Sequence, residues 1–391
     1  MRPEARDRGQ TGVSSTPATI RWVDSAPEFA ALLRDLGRPA RIAVDTEAAS
    51  YHRYSDSICL VQLSTGSVTA VVDTLRVPDL SGLGTLLADP GVESVFHDAD
   101  YDLRLLDRDH GIGVARLFDT RVAAQLLGEP GIGRAALLEK YEGIALDKKF
   151  QRADWSKRPL DPGMLEYAAA DTHHLLPLRD LMESKLRDLG RLEWAREEFV
   201  HSAKVQWGER SGEEAYLKMK GARLLKPRQL AVLRELHQWR EVLAQRLDRA
   251  TFRVMNPEML LLLAELQPRE VEALSGIRGL SPDQVGRRGP DLIDAVARGL
   301  AVPEAELPRV ERTRRPPPDP AFEGRLDRLK VVRNAAAERL GLQPGVLCPN
   351  GTLEGIARRE PKTAEELLEV DGLRRWQAAV LGAELVAALT V

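Results

Sequence analysis

The sequence predicts an α/β domain, a mixed sheet flanked by helices, followed by two all-α helical bundles. Three observations carry this expectation. Over roughly the first 205 residues, short apolar runs bounded by turn residues alternate with stretches of helical periodicity. Beyond about residue 205 the strand signals stop. Within that helical half, Val254, Leu260, Ala264, Pro268, Leu274, Gly279 and Leu280 recur 93 residues later as Leu347, Leu353, Ala357, Pro361, Leu367, Gly372 and Leu373. Seven matches at one offset, with the same Pro and Gly punctuation, predict two copies of one small helical module.

Taken in order, Met1 to Thr19 is polar and lacks the apolar core of a signal peptide, so residues 1–18 read as a disordered tail. Arg41 to Thr46 is a buried strand ending in acids. Ser57 to Ser64 and Val68 to Asp73 are two strands joined by Thr65-Gly66-Ser67, a hairpin signal. Val92 to Phe96 is a further strand, leading into a helix from about Ala99 to Asp109 with Leu103, Leu105 and Leu106 on its apolar side. Leu117 to Asp119 precedes a helix, Thr120 to Leu127, that stops at Gly128. Pro162 and Gly190 bracket one long helix with an apolar stripe from Leu165 to Leu186. The expected division is an α/β domain at 19–205, a first bundle at 215–303, a linker at 304–321 and a second bundle at 322–391. Arg312, Arg314, Arg315 and Pro316-Pro317-Pro318 make that linker stiff and extended.

Composition narrows the function class. At 391 residues the chain exceeds one ordinary core. With 43% hydrophobic and 29% charged residues it has ordinary soluble globular composition. No apolar run approaches the roughly 18–20 residues of a membrane span, so no membrane partner is expected. Cys59 and Cys348, the two cysteines, lie far apart and read as buried thiols without a disulfide partner in a reducing, cytoplasmic compartment. The net charge of −3 divides unevenly: residues 1–205 carry 26 basic and 32 acidic side chains, whereas 206–391 carry 30 and 27. The mildly basic half could hold a polyanion.

The acids of the first half point to metal chemistry. Asp45 and Glu47, two apart on an extended strand, project to one side. Tyr167 and Asp171, four apart on a helix, share a face. Asp98, Asp100 and Asp102 all lie at a strand-to-helix junction; Asp98 suits a helix N-cap, and Asp102, one turn in, can face the sheet. Four carboxylates crowded together repel one another, and hard divalent cations relieve that cost. Tyrosine is a poor general base near neutrality, so Tyr167 suits orienting a water. His173 and His174 follow Asp171, but an oxygen-rich site prefers Mg²⁺ or Mn²⁺ to an imidazole-bound metal.

In this order and with these flanks, the set resembles the DEDD exonuclease superfamily, and the chain as a whole resembles the ribonuclease D family. The supporting stretches are Ile42-Ala43-Val44-Asp45-Thr46-Glu47, Phe96-His97-Asp98-Ala99-Asp100-Tyr101-Asp102-Leu103, Leu117-Phe118-Asp119-Thr120, Gln151-Arg152-Ala153-Asp154-Trp155-Ser156-Lys157-Arg158-Pro159-Leu160 and Leu165-Glu166-Tyr167-Ala168-Ala169-Ala170-Asp171-Thr172. One branch of the superfamily carries histidine five before the last aspartate, where this chain has Glu166; the other carries tyrosine four before it, here Tyr167. The resemblance implies a ribonuclease H-like sheet and a 3′-to-5′ exonuclease using two divalent cations, Mg²⁺ or Mn²⁺. One cation would be held by Asp45, Glu47 and Asp171, the other by Asp45 and Asp102. The implied substrates are RNA 3′ ends, transfer RNA precursors or other structured RNA. A DNA exonuclease on the same motifs, and a binding protein with a dead pocket, stay open as alternatives. The helical modules resemble the helicase-and-ribonuclease-D C-terminal (HRDC) domain, from Lys226-Pro227-Arg228-Gln229-Leu230 and Phe252-Arg253-Val254-Met255-Asn256-Pro257 in the first copy. Such modules bind nucleic acid or pack on the nuclease and shape its entrance. Candidate strand-guiding residues are Lys148, Lys149, Arg152, Lys157 and Arg158 before the Tyr167 helix, and Lys226, Arg228, Arg234 and Arg240 in the first module.

Overall fold

Residues 20–146, 149–208, 214–309 and 319–390 are described by the structure, a computed structural model. The expected tail, Lys148 and the Arg/Pro core of the linker lie outside them. The first part of the chain runs β1 (Ile20–Val23), α1 (Ala26–Leu36), β2 (Arg41–Ala48), β3 (Ile58–Ser64), β4 (Thr69–Asp73), α2 (Ser81–Leu87), β5 (Glu93–Phe96), α3 (Asp100–His110), β6 (Leu117–Asp119), α4 (Thr120–Leu127), α5 (Arg134–Glu142), α6 (Pro162–His173), α7 (Leu175–Asp188) and α8 (Leu192–Ser202). The strands form one mixed sheet in the order β1-β4-β3-β2-β5-β6. β2 pairs antiparallel with β3 and parallel with β5, and β5 pairs parallel with β6. The C-terminal ends of β2, β5 and β6 therefore open on the same edge, where loops leave the sheet toward one place.

Two differences from the sequence reading have simple causes. β1 escapes notice because it is a four-residue edge strand with only Val23 fully buried. The single long helix expected from Pro162 to Gly190 is two, parted at His174. Pro177 has no N–H to give and its ring crowds the carbonyl four residues back, so the helix cannot run through that turn.

The sheet has two unlike faces. Val44, Val61, Leu63 and Val72 face the main core, which α1, α2, α3 and α7 complete. On the other face Cys59, Leu60 and Val71 meet Ala168 and Ala169 of α6, with Trp155 beside them. Two alanines in succession let α6 sit close to the sheet.

The helical half holds the repeat in its backbone. α9 (Pro227–Leu247), α10 (Thr251–Val254), α11 (Pro257–Leu266), α12 (Val271–Leu274) and α13 (Pro282–Ala301) are followed by α14 (Pro320–Leu340), α15 (Pro344–Leu347), α16 (Asn350–Arg359), α17 (Ala364–Leu367) and α18 (Arg375–Leu389). Each helix of the second set starts 93 residues after its counterpart. The copies are placed differently. The first has a core of its own, whereas the second shares one continuous core with the α/β domain. There Trp194 stacks on Trp376 at 4.8 Å, and the Glu197 carboxylate of α8 accepts the first N–H groups of α18, from Arg375 at 2.7 Å and Trp376 at 3.0 Å. The expected linker is tied down at its start: Leu307 is buried and Arg228 reaches back to Glu304 at 3.0 Å.

Gly128 ends α4 with a φ of 76°, and a Cβ there would lie 2.2 Å from the carbonyl oxygen of Gly341 in the second copy. Gly190 has a similar φ of 67°, with no atom of the described residues within 4 Å of its missing Cβ. Gly190→Ala should thus cost about 1–2 kcal/mol of backbone strain, and Gly128→Ala that plus about 1–3 kcal/mol of collision. Urea unfolding of both variants checks this; equal losses would mean that the junction yields freely.

Candidate active site

Alternation along β2 sends Asp45 and Glu47 to the face that α6 covers, opposite Gln62 and Leu60 of β3. α6 begins at Pro162 with the Asp161 carboxylate accepting the Gly163 N–H at 2.8 Å, a regular N-cap. The helix is pinned to β3 by hydroxyls of Thr172 and Ser64 at 2.8 Å. That pin sits one residue from Asp171, which is 3% exposed. One carboxylate oxygen each from Asp45, Glu47 and Asp171 lie within 4.8 Å of one another.

Asp102 arrives from the opposite face. Its position depends on Asp119, whose carboxylate accepts four backbone N–H groups: Asp98 at 3.0 Å, Ala99 at 2.8 Å, Arg121 at 2.8 Å and Val122 at 3.3 Å. One buried acid thus caps α4 and also fixes the turn that launches α3. Asp98 is not the N-cap the sequence suggests. It takes a left-handed φ of 67° in that turn, and its carboxylate pairs with Arg121. Asp100 pairs outward with Arg104 at 2.9 Å. Asp102 alone of the three is buried, and it accepts the Thr46 hydroxyl at 2.5 Å. Thr46 lies between Asp45 and Glu47 but points to the other face. The acids therefore meet around the end of one strand.

The cation among these acids is Arg134, at the start of α5. It donates to an Asp171 carboxylate oxygen and, at 3.2 Å, to the Asp171 carbonyl, and lies 3.8 Å from Asp45. No motif announces it from sequence, for it stands 37 residues before Asp171 behind Gly131-Ile132-Gly133. Gln62 was missed too. It is fully buried across from Asp45, and neither of its amide atoms has a partner among the described residues.

Burial and mutual repulsion push the acids' pKa values upward despite Arg134. Asp171 is raised to about 8 by burial and the Asp45 charge. Glu47 and Asp102 are held well above the usual carboxylate range, burial again leading and Asp45 following. Asp45 is raised by burial against the pull of Arg134. Tyr167 lies between Trp155 and Phe150, with ring centroids 6.0 and 6.2 Å away. Its phenol is pushed above its ordinary value by burial, then by Asp171 and Glu47. It holds its proton and is available as a hydrogen-bond donor. His97 is lowered to about 3 by burial and the arginines, and remains neutral.

This donor set suits hard divalent cations: the oxygens are anionic, close, and already attract a guanidinium that stands in for a metal ion. A cleft of about 440 Å³ opens on one of them, Asp171, and is lined also by Tyr167, Lys149, Phe150, Glu166 and His174. His174 faces Glu142 at 3.6 Å, and His173 lies beside it.

The basic candidates sort by burial. Lys149 lies over the Phe150 ring at 4.9 Å, while Arg152 and Lys157 are exposed. Arg158 is not a strand guide: Asp73, with no side-chain exposure, binds it through two bonds of 2.6 Å. Lys226 is exposed at the start of α9. Arg228 is engaged internally by the carbonyls of Leu300 and Val302, and Arg240 is buried at 6% exposure, so neither fits the phosphate-contact role expected of it. Arg234 pairs with Glu235 at 3.5 Å.

Comparison with known proteins agrees with this architecture. A family model described as 3′-5′ exonuclease matches residues 20–187, and the HRDC domain model matches twice, at 229–296 and 322–389. Ribonuclease D of Gluconacetobacter diazotrophicus is 33% identical over 369 residues, spanning 93% of this chain and 91% of that protein. The exosome complex exonuclease RRP6 of Saccharomyces cerevisiae is 34% identical over 266 residues, which is 64% of this chain and 36% of that one. The crystal structure of Escherichia coli RNase D, an exoribonuclease involved in structured RNA processing, superposes with a TM-score of 0.71 at 26% identity, covering 95% of this chain and 98% of that one. In sequence, fold and repeat, the chain belongs to the ribonuclease D family.

Proposed function

We propose that this chain is a 3′-to-5′ exoribonuclease that trims the 3′ ends of transfer RNA precursors or other structured RNA, releasing nucleoside 5′-monophosphates. The observation that carries it is the meeting of Asp45, Glu47 and Asp171 within 4.8 Å, with Asp171 and Tyr167 lining a cleft. Asp45, Glu47 and Asp171 would hold one divalent cation, and Asp45 with Asp102 a second, as Mg²⁺ or Mn²⁺. Bound there, such cations acidify a water and neutralise a departing oxygen. The protein's own contribution is positional. Tyr167 keeps its proton and aims the attacking water through its hydroxyl. Asp119 holds the α3 turn so that Asp102 faces the same edge as Asp45. The same reading divides the chain into a nuclease unit at 19–205, HRDC units at 215–303 and 322–391, and a linker at 304–321.

Asp45→Asn should reduce hydrolysis of a 3′-labelled single-stranded RNA by more than about 100-fold with the fold intact, since first-ligand losses exceed the 10–100-fold of outer partners. Tyr167→Phe should lower kcat by about 10–100-fold and leave Mn²⁺ affinity unchanged. Parallel time courses on RNA and DNA oligonucleotides with Mg²⁺ and with Mn²⁺ test both variants and the polymer preference. An Asp45→Asn chain that still degrades RNA ends the reading, and faster degradation of DNA moves it to a DNA exonuclease.

Asp171 ionises near 3.8 when the chain is unfolded but near 8 in the folded, ion-free protein. The folded state binds the extra proton between those values, so metal-free stability falls as pH rises from about 4 to about 8. A divalent cation needs the ionised carboxylate and expels that proton. The rise in melting temperature on adding Mn²⁺ should therefore grow from pH 6 to pH 8.5; a pH-independent rise contradicts this.

Arg134 competes with the cations for Asp171 and Asp45. Arg134→Met should bind Mn²⁺ at least about tenfold more tightly at pH 9, above the Asp171 value of about 8, and melt lower without metal, because like charge at this range costs several kcal/mol even in a polar protein medium. Calorimetric titration decides it, and equal or weaker Mn²⁺ affinity refutes the counter-ion role.

A further inference from the structure

Three segments converge where the first HRDC copy meets the nuclease: the β2–β3 loop, the stretch before α6, and the end of α9 with α10. Polar contacts hold the seam. Arg53 pairs with Asp248 at 3.2 Å and donates to Ser156 at 2.7 Å, the Ala250 N–H reaches the His52 carbonyl at 3.3 Å, and the His52 ring lies 2.9 Å from the Arg152 carbonyl. A second group of side chains meets across this seam and stays partly exposed. Tyr51 and Phe252 are 39% and 43% exposed, and their rings lie 5.3 Å apart across the junction. Arg253 sits 4.6 Å and Arg152 5.8 Å from the centre of the Tyr51 ring. Neither guanidinium has a carboxylate partner among the described residues, whereas neighbouring Arg53 is neutralised by Asp154 and Asp248. Two partly exposed aromatic rings and two arginines with no carboxylate partner among the described residues form a cationic, aromatic surface. Its location matters as well. Tyr51 follows Glu47 by four residues, so chain length alone keeps it within about 14 Å of the acidic site.

We infer that Tyr51, Phe252, Arg152 and Arg253 form a clamp, split between nuclease and first HRDC copy, for the single-stranded RNA segment upstream of the 3′ end being cut. Bases stack on aromatic faces whatever their identity, and arginines hold the backbone phosphates between them. The charge over the Tyr51 ring is positive, the complement of a polyanion, while the exposed Asp248 carboxylate beside it is paired with Arg53. The clamp rests on the exoribonuclease reading for its choice of strand, and it assigns the HRDC copy a part in binding that strand.

The test separates the clamp from the metal site by substrate length. Binding of a labelled ten-nucleotide RNA is measured by fluorescence anisotropy on the full chain carrying Asp45→Asn, and hydrolysis of a two-nucleotide RNA is measured on the otherwise unaltered chain. Tyr51→Ala with Phe252→Ala should weaken ten-nucleotide binding by at least about tenfold, the value of stacking one or two bases, while Tyr51→Trp preserves it. Arg152→Glu with Arg253→Glu, both at exposed positions, should weaken binding and flatten its salt dependence by about one unit of slope. Two-nucleotide turnover should stay within about twofold in all of them. Unchanged ten-nucleotide affinity and salt slope would hand the patch to an acidic protein surface and overturn the clamp, as would a parallel loss on both substrates. If the unaltered chain fails to cut the two-nucleotide RNA, the nuclease reading falls, and the binding comparison still decides the clamp.

Discussion

Repulsion among buried carboxylates is the constraint around which this molecule is arranged. Asp45, Glu47, Asp102 and Asp171 come from a strand and two helices on opposite faces of the sheet, and each is raised above its ordinary pKa by burial. Left to themselves such groups would drift apart or take up protons. The fold opposes drift with rigid anchors close to each acid: β-sheet pairing on both sides of β2, the Ser64–Thr172 pin beside Asp171, and the four N–H groups gathered by Asp119 below Asp102. It offsets the remaining charge with Arg134. A guanidinium is a modest substitute for a metal ion, since it cannot approach three carboxylates as closely as a small divalent cation. The site is therefore held in shape while its charge remains under-compensated, a state that favours metal uptake.

What sequence could show follows from which forces act locally. The acids on β2 and α6 were legible because periodicities of 2 and 3.6 decide which side chains share a face. Asp102 could be chosen over Asp98 and Asp100 for the same reason, and the helix repeat was legible because Pro and Gly punctuate both copies alike. Arg134 was not legible. Its relation to Asp171 is set by how α5 packs across the cleft, and no spacing rule connects the two. Arg158, Arg228 and Arg240 failed as strand guides for a related reason: a basic residue's partner is a tertiary fact, and here the partners are Asp73, helix-end carbonyls and a packed core. Pro177 is a local signal that interrupts the apolar stripe running past it.

The duplicated module shows one sequence pattern put to two physical uses. Buried arginines recur at equivalent places, Arg240 and Arg333, and left-handed residues recur at Gln267 and Glu360. These features belong to the module itself. The surfaces differ. The second copy meets the nuclease through Trp194, Trp376 and a shared apolar core, and takes its α18 cap from Glu197 of the other unit. Such a seam buries large apolar area and resists separation.

The first copy meets the nuclease through a few polar bonds and leaves its aromatics at the edge of the seam. Polar seams of this kind bury little apolar surface, and the hydrophobic term that fuses the second copy is small there. Residues along such a seam are not required for cohesion and can face a ligand. Arg53 and Asp248 hold the two units in register; Tyr51 and Phe252 meet beside them and remain partly exposed despite the apolar area they leave in water. Exposure of two neighbouring rings is unfavourable unless something covers them in use. Beyond the end of β2, such a covering ligand is the strand that the clamp reading invokes. On the clamp reading, the weakly packed module belongs to the substrate and the fused one to the scaffold, a division that follows which seam excludes water.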